Sequence, residues 1–380
     1  MSSESLDPRF ARLEDLFRSG LSQNETGAAF ALRVAGTTVA HSWGGLSDRR
    51  SRAPWTAGSL CCAFSVTKAL GALAVLRAVG AGELDLDEPV SRCWPAFAEQ
   101  GKAEISLRQV LAHQSGVIGC RSPLVPADYY SSTAMANQLA REPAWWEPGT
   151  RHGYQARTFG LLLDEALTRA TRLNIRERLL VAAGEAGAQT SFYLGLPKNA
   201  LGRCVTLEPA RATAEEMKQL PDETWEMLRA MADPQTPTGA AFQNPRLSRR
   251  FMNEVAFQQA NLASSGVHGT AAGIAAVFDA LWASLPAGLQ REAMQSHSSG
   301  QDEVLLTRTS FGLGLMLDLA DPSAGFGPGS FGHVGSGGAV LLHQPEQAAT
   351  FVFLPNRLRA GVMSWGPTAE TLMQESLALL

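Results

Sequence analysis

The amino-acid sequence predicts an α/β fold in which one sheet layer is assembled from both ends of the chain and interrupted by a helical insertion. Strand-like alternation is confined to about residues 30–43 and 311–354, whereas about 90–255 mixes helical patterns with Pro-rich and polar loops such as Asp233-Pro-Gln-Thr-Pro-Thr-Gly239. At 380 residues and 45% hydrophobic composition, the chain has ample material for a buried core.

Phe10, Leu13, Leu16 and Phe17 recur at helical spacing and predict an amphipathic helix over residues 8–19. Phe30, Leu32 and Val34 then alternate with smaller residues, Ala35-Gly36 supplies a turn, and Val39 to Trp43 returns, which reads as a hairpin ending at Gly44-Gly45. The pattern is helical from Ser65 to about Gly80, and Gly82-Glu-Leu-Asp-Leu-Asp-Glu-Pro89 closes it. Ser106 to Ala112 and Phe159 to Asp164 are helical as well. Phe311 to Leu317 reads as one strand, Ala339 to Leu342 and Thr350 to Leu354 as two more joined around Gln344–Gln347, and residues 367–380 as a closing amphipathic helix.

A formal net charge of −4 and the lack of any Lys/Arg run argue against nucleic acid as a partner. The opening MSSESLDPRFARLEDLF has early acidic residues and no basic-then-apolar pattern, so the expected location is the cytoplasm. The most apolar run, Ala69 to Gly80, is broken by Arg77 and falls short of the roughly 18 residues a membrane span requires. Five cysteines without CxxC spacing read as reduced thiols. No histidine forms HExxH, no serine sits in GxSxG, and neither metal nor cofactor is called for. Gly327-Pro-Gly329-Ser-Phe-Gly332 satisfies GxGxxG but leads into a strand, where a dinucleotide site needs a helix.

The strongest chemical signal is Ser65-Val66-Thr67-Lys68. A serine opening a helix with a lysine three residues on puts both side chains on one face, and a desolvated, neutral lysine can activate the hydroxyl. Lysine is scarce here, at positions 68, 102, 198 and 218 only, and no other has a serine three residues before it. Pro148-Gly-Thr-Arg-His-Gly-Tyr154 is a turn that delivers a tyrosine able to move protons, preceded by Trp145-Trp146, which either walls a substrate pocket or packs. Phe331-Gly-His333-Val-Gly335-Ser336-Gly-Gly338 places small residues at a strand edge, where an N–H can pair with that of the nucleophile to form an oxyanion hole; the Ser65 and Ser336 amides are the candidates.

Together these elements resemble the serine β-lactamase and penicillin-binding-protein superfamily, in its class C-like branch, and most closely the family VIII carboxylesterases. The order SxxK, Tyr-x-x, His-x-Gly is the family's, and Gly82–Pro89, Ser106–Gly116 and Pro148-Gly149 look like its connectors. The resemblance implies a β-lactamase/transpeptidase-like fold, a mainly antiparallel sheet flanked by helices. Residues 1–75 and 256–380 would form the sheet domain, residues 76–255 the helical insertion, and the cleft between them the site. It implies catalysis by Ser65, Lys68 and Tyr154, with the base shared between the latter two, and substrate contacts from His333, Gly335, Ser336 and Trp146. His333 would also support Tyr154 by hydrogen bonding. Tyr154-Gln155-Ala156 lacks the asparagine of true β-lactamases, and His333 stands where they carry lysine. Both departures favour an uncharged ester over a β-lactam carboxylate. The expected function is a serine carboxylesterase acting on a small-molecule ester through an acyl-enzyme. An acyltransferase using the same residues, a β-lactamase or peptidase, and a non-catalytic ligand-binding module are the alternatives.

Overall fold

The computed structural model describes residues 2–5, 7–210, 222–317, 329–359 and 365–380. Its centre is a ten-stranded sheet with every pairing antiparallel. In spatial order the strands are β1 (Ser2–Ser5), β3 (Thr37–Asp48), β2 (Gly27–Val34), β13 (Ala349–Pro355), β12 (Val340–Gln344), β11 (Phe331–Val334), β10 (Met316–Leu317), β9 (Arg308–Phe311) and β8 (Ser298–Gln301), with β4 (Ala53–Pro54) paired to β3. The N-terminal hairpin is thus joined to the C-terminal strands through β2 and β13, as the two separated regions of alternation predict.

Both faces of the central strands are covered, and the alternation sorts residues between two cores. Phe30, Leu32, Leu342, Phe351 and Phe353 pack with Phe10, Leu13 and Phe17 of the N-terminal helical segment and with Leu372 and Met373 of the closing helix, Pro367–Leu379. Ala29, Ala31, Leu341, Val352 and Leu354 face the larger core, where the helix Ala271–Ala283 lies on the sheet. Alanines on that face let a helix approach closely, and the big side chains on the other fill the space beneath a second layer.

The helices used below are α1 (Ala11–Asn24), α2 (Val66–Gly80), α3 (Leu107–Leu111), α4 (Pro126–Tyr129), α5 (Ser132–Arg141), α6 (Thr158–Thr171) and α7 (Ile175–Glu185). α2 is apolar on all sides and buried almost throughout, as expected of a helix at the middle of a core. Among the described residues no single helix is long and apolar enough to cross a membrane.

Three local expectations are corrected. The hairpin does not end at Gly44-Gly45: β3 runs on to Asp48, and Gly45, at φ +77°, lies so close to the Thr26 carbonyl that a Cβ would sit 2.3 Å from it. Glycine there permits a close approach, not a stop. Phe311 to Leu317 is two strands, because the chain reverses through Gly312 and Gly314 and packs Gly314 against Ala72 of α2. The middle of the chain also contributes a strand, β6 (Phe192–Leu194), to a second small sheet with β7 (Val267–Gly269) and β5 (Cys61–Cys62). Three residues are too short for alternation to register.

Candidate active site

The segment β5–turn–α2 presents Ser65. Phe64 in the turn adopts φ +46°, a conformation that costs energy for a bulky residue and lets the chain swing sharply from strand into helix. From Ser59 to Leu76 every residue is buried except Ser65, which is partly open. Its hydroxyl does not cap α2, the ordinary occupation of a serine at that position. It accepts a hydrogen bond from Lys68 Nζ at 3.2 Å.

Lys68 is wholly enclosed. Its ammonium also donates to the Ala156 carbonyl at 2.9 Å and the Ser264 carbonyl at 3.1 Å, and it lies 4.8 Å from the centre of the Tyr154 ring. Burial disfavours the charged form, and the lysine is lowered from 10.5 to about 7. A substantial fraction is then the neutral amine at neutral pH, able to take a proton. Ala156 stands where β-lactamases carry asparagine, and here the backbone of that position does the holding.

Tyr154 is 2% exposed. Burial raises its phenol above the usual range, with the neighbouring Ser65 hydroxyl pulling the other way and Asp302 adding to the rise. It rests as the protonated phenol. Its turn is pinned from two sides. The His113 carbonyl accepts from Gly153 N at 3.0 Å and His113 Nδ1 accepts from Gln155 N at 3.1 Å, while Asp302 Oδ1 accepts from Tyr154 N at 3.1 Å. Asp302 also receives the amides of Val304 and Leu305 at 2.8 Å and the Thr309 hydroxyl at 3.1 Å, and Thr309 in turn meets His152. His113 and His152 therefore brace the turn. Asp302 was not anticipated: its loop carries no motif, and only the fold brings it to Tyr154.

Trp146 belongs to the same turn. Its Nε1 donates to the Arg151 carbonyl at 3.2 Å, and its ring lies where a Cβ on Gly153 would be, 2.6 Å from the nearest ring carbon. These contacts pack the ring against its own turn.

His333, on β11, is buried beside Tyr154, with ring centres 5.9 Å apart. The expected hydrogen bond between them is not formed. Nδ1–H donates to the Val334 carbonyl at 2.7 Å, which fixes the tautomer and leaves Nε2 as an acceptor without a partner. Burial, and then the charge of Lys68, lower the imidazole to about 3, so it stays neutral. Gly335, two residues on, runs against the turn before Ser65: a Cβ there would lie 2.4 Å from the Ala63 carbonyl. Ser336 is exposed, and among the described residues neither its N–H nor that of Ser65 makes a turn or loop hydrogen bond to a backbone carbonyl. Among the described residues no cluster of three or more His, Cys, Asp or Glu could hold a metal ion. All five cysteines are free. Of the GxGxxG stretch, residues 327 and 328 lie outside the described residues, and Phe331 to Val334 is strand.

Comparison with known proteins shows the family and the fold. Residues 13–364 match the family described as Beta-lactamase. The esterase/β-lactamase LipL of Mycobacterium tuberculosis is 30% identical over 370 residues, 93% of this chain and 82% of that protein. Among solved structures, a family VIII carboxylesterase superposes with a TM-score of 0.88 at 25% identity, and a penicillin-binding-protein homologue from Caulobacter crescentus with 0.86 at 25%, each over 100% of both chains. The chain belongs to the β-lactamase family, with its β-lactamase/transpeptidase-like fold, and is a serine hydrolase of that superfamily.

Proposed function

We propose that the chain is a serine carboxylesterase acting on small-molecule esters, with its site in the cleft between the sheet-bearing part and the helical insertion of residues 76–255. Neutral Lys68 takes the proton of the Ser65 hydroxyl, and Oγ attacks the ester carbonyl. The Ser65 and Ser336 amides receive the oxyanion. Tyr154, held as a phenol by burial, hands a proton to the departing alkoxide and recovers it from Lys68. Water then attacks the acyl-enzyme and releases the acid. Lys68 is the principal base because burial moves it toward neutrality while burial moves Tyr154 away from the tyrosinate.

The observation that carries this reading is the hydrogen bond between Lys68 Nζ and Ser65 Oγ at 3.2 Å, made by a lysine whose other acceptors are backbone carbonyls. Two features favour a neutral ester over a β-lactam. Ala156 offers no side-chain amide, and His333 stays uncharged, so it offers a substrate carboxylate no cation.

The test is turnover of p-nitrophenyl acetate and butyrate by wild type and Ser65→Ala, with intact-mass spectra taken during the reaction. Steady turnover with a transient acyl adduct, reduced about 10⁴-fold or more in Ser65→Ala, is expected. Undiminished turnover in the variant would remove Ser65 as nucleophile. A single burst, with the acyl group retained until an amine or alcohol is added, would make the protein a transferase.

A further inference from the structure

Asp164 lies on α6, ten residues beyond Tyr154, and is 7% exposed. Its Oδ1 accepts from Ile175 N, the first residue of α7, at 2.6 Å, and its Oδ2 accepts from Asn261 Nδ2 at a longer 3.4 Å. Among the described residues it has no lysine or arginine partner. The charged residues that bear on it are Glu165 on its own helix and Glu177 on α7; both act with burial to raise it, to about 6. A buried carboxylate without a counter-ion is expensive to keep. Asn174 and Glu177 close a capping box on α7, and Asp164 Oδ1 takes the Ile175 amide that the box leaves over, so one carboxylate oxygen caps that helix and the other faces Asn261.

What Asp164 does reach is the segment that carries one of the lysine's acceptors. Asn261 begins a short stretch ending in Ser264, whose carbonyl receives Lys68 Nζ at 3.1 Å. The Ser264 hydroxyl ties the same stretch to the start of α6, accepting from Gly160 N at 2.8 Å and donating to the Arg157 carbonyl at 2.9 Å. Gly160 is packed so tightly on Ala263 that a Cβ would lie 2.1 Å from its carbonyl carbon. The C-terminal end of the stretch is thus fixed from α6, and the N-terminal end is held by Asp164 through Asn261. Both residues line a cavity of about 30 Å³ that also borders Ser264, so the contact adjoins open space and not packed core.

We propose that Asp164 is a positioning residue for Lys68: by holding Asn261 it sets the 261–264 stretch, and with it the Ser264 carbonyl that orients the lysine toward Ser65. The proposal rests on reading Lys68 as the base. Losing a well-placed carbonyl removes support for the ammonium form, so releasing the stretch lowers the lysine further and misdirects its lone pair.

Because the chain has only four lysines, ¹³C NMR of [¹³Cε]lysine-labelled protein follows Lys68 directly. In Asp164→Leu, and in Asn261→Leu should the first variant fail to fold, the Lys68 midpoint is expected to fall by about half a pH unit. Ester turnover should lose about tenfold in kcat with KM within about twofold. Asn174→Ala, which loosens the same end of α7 without touching Asn261, should lower Tm and leave midpoint and kcat alone. An unmoved midpoint in the Asp164 or Asn261 variant, or an equal shift in Asn174→Ala, overturns the proposal. A wild type that hydrolyses no ester would sink the esterase reading, yet the Lys68 midpoint would still decide the positioning role.

Discussion

Lys68 and Lys102 are both fully enclosed, and each reaches backbone carbonyls of distant segments. Lys102 donates to the carbonyls of Glu99 at 2.7 Å, Ala140 at 3.0 Å and Glu142 at 2.5 Å, so all three of its N–H groups are occupied by backbone. Burial lowers it, and the charges of Glu99 and Glu142 work against that. Lys68 has two carbonyls and one hydroxyl, and burial lowers it to about 7 with nothing opposing. The residue three positions earlier differs accordingly, glutamate for Lys102 and serine for Lys68. A buried lysine ties segments together when its donors are saturated and acids offset its desolvation. In the proposed function it becomes a proton acceptor when one direction is left to a hydroxyl.

The largest expected effect that would break this contrast is on activity. Lys68→Met should lower kcat/KM on p-nitrophenyl butyrate about 10³-fold, whereas Lys102→Met should leave turnover per folded molecule within about twofold. Comparable losses in both would show that the two lysines matter only for folding. Next comes stability at neutral pH. Lys102→Met strips the donor from three buried carbonyls and should cost about 3 kcal/mol in urea unfolding.

The pH dependence sharpens the contrast further. Lys68 titrates near 7 in the folded protein and near 10.5 when unfolded, so between these values the unfolded chain binds more protons and stability rises with pH. Below pH 7 the full penalty applies. Lys68→Met lacks this dependence, so its stability relative to wild type should be about 4 kcal/mol more favourable at pH 6 than at pH 10. A constant difference across that range would mean that Lys68 is not depressed. The smallest effect is at the acid flanking Lys102. Glu142→Gln removes a charge that supports the ammonium and should cost about 1 kcal/mol without changing kcat/KM.

Much of the proposed catalytic side of this contrast is legible in the sequence, because it is local. Ser65 and Lys68 share a helix face by spacing alone, and the apolar run Ala69 to Leu76 implies that the lysine is buried. Tyr154 could be nominated but not oriented: its turn is held by His113 and Asp302, and the Asp302 contact spans 148 residues. The same limit applies to His333. Its motif placed it beside Tyr154, but the tautomer is set by its own neighbour's carbonyl, a detail of β11 that residue type does not reveal. Sheet strands long enough to alternate, such as β2 and β13, were readable; the reversal at Gly312–Gly314 and the short β6 were not, since glycine marks equally a turn, a bulge or a close contact.

The seam at the middle of the sheet, where Ala28 to Val34 pairs with Ala349 to Pro355, sets a timetable for making the protein. On the ribosome, the hairpin β2–β3 and the helix bearing Ser65 and Lys68 emerge well before β13, the strand that completes the seam. Until then β2 presents an unpaired, apolar edge, the kind of template that draws strands of other chains. Closing a loop of this length is slow, so β2 needs shielding until β13 pairs with it.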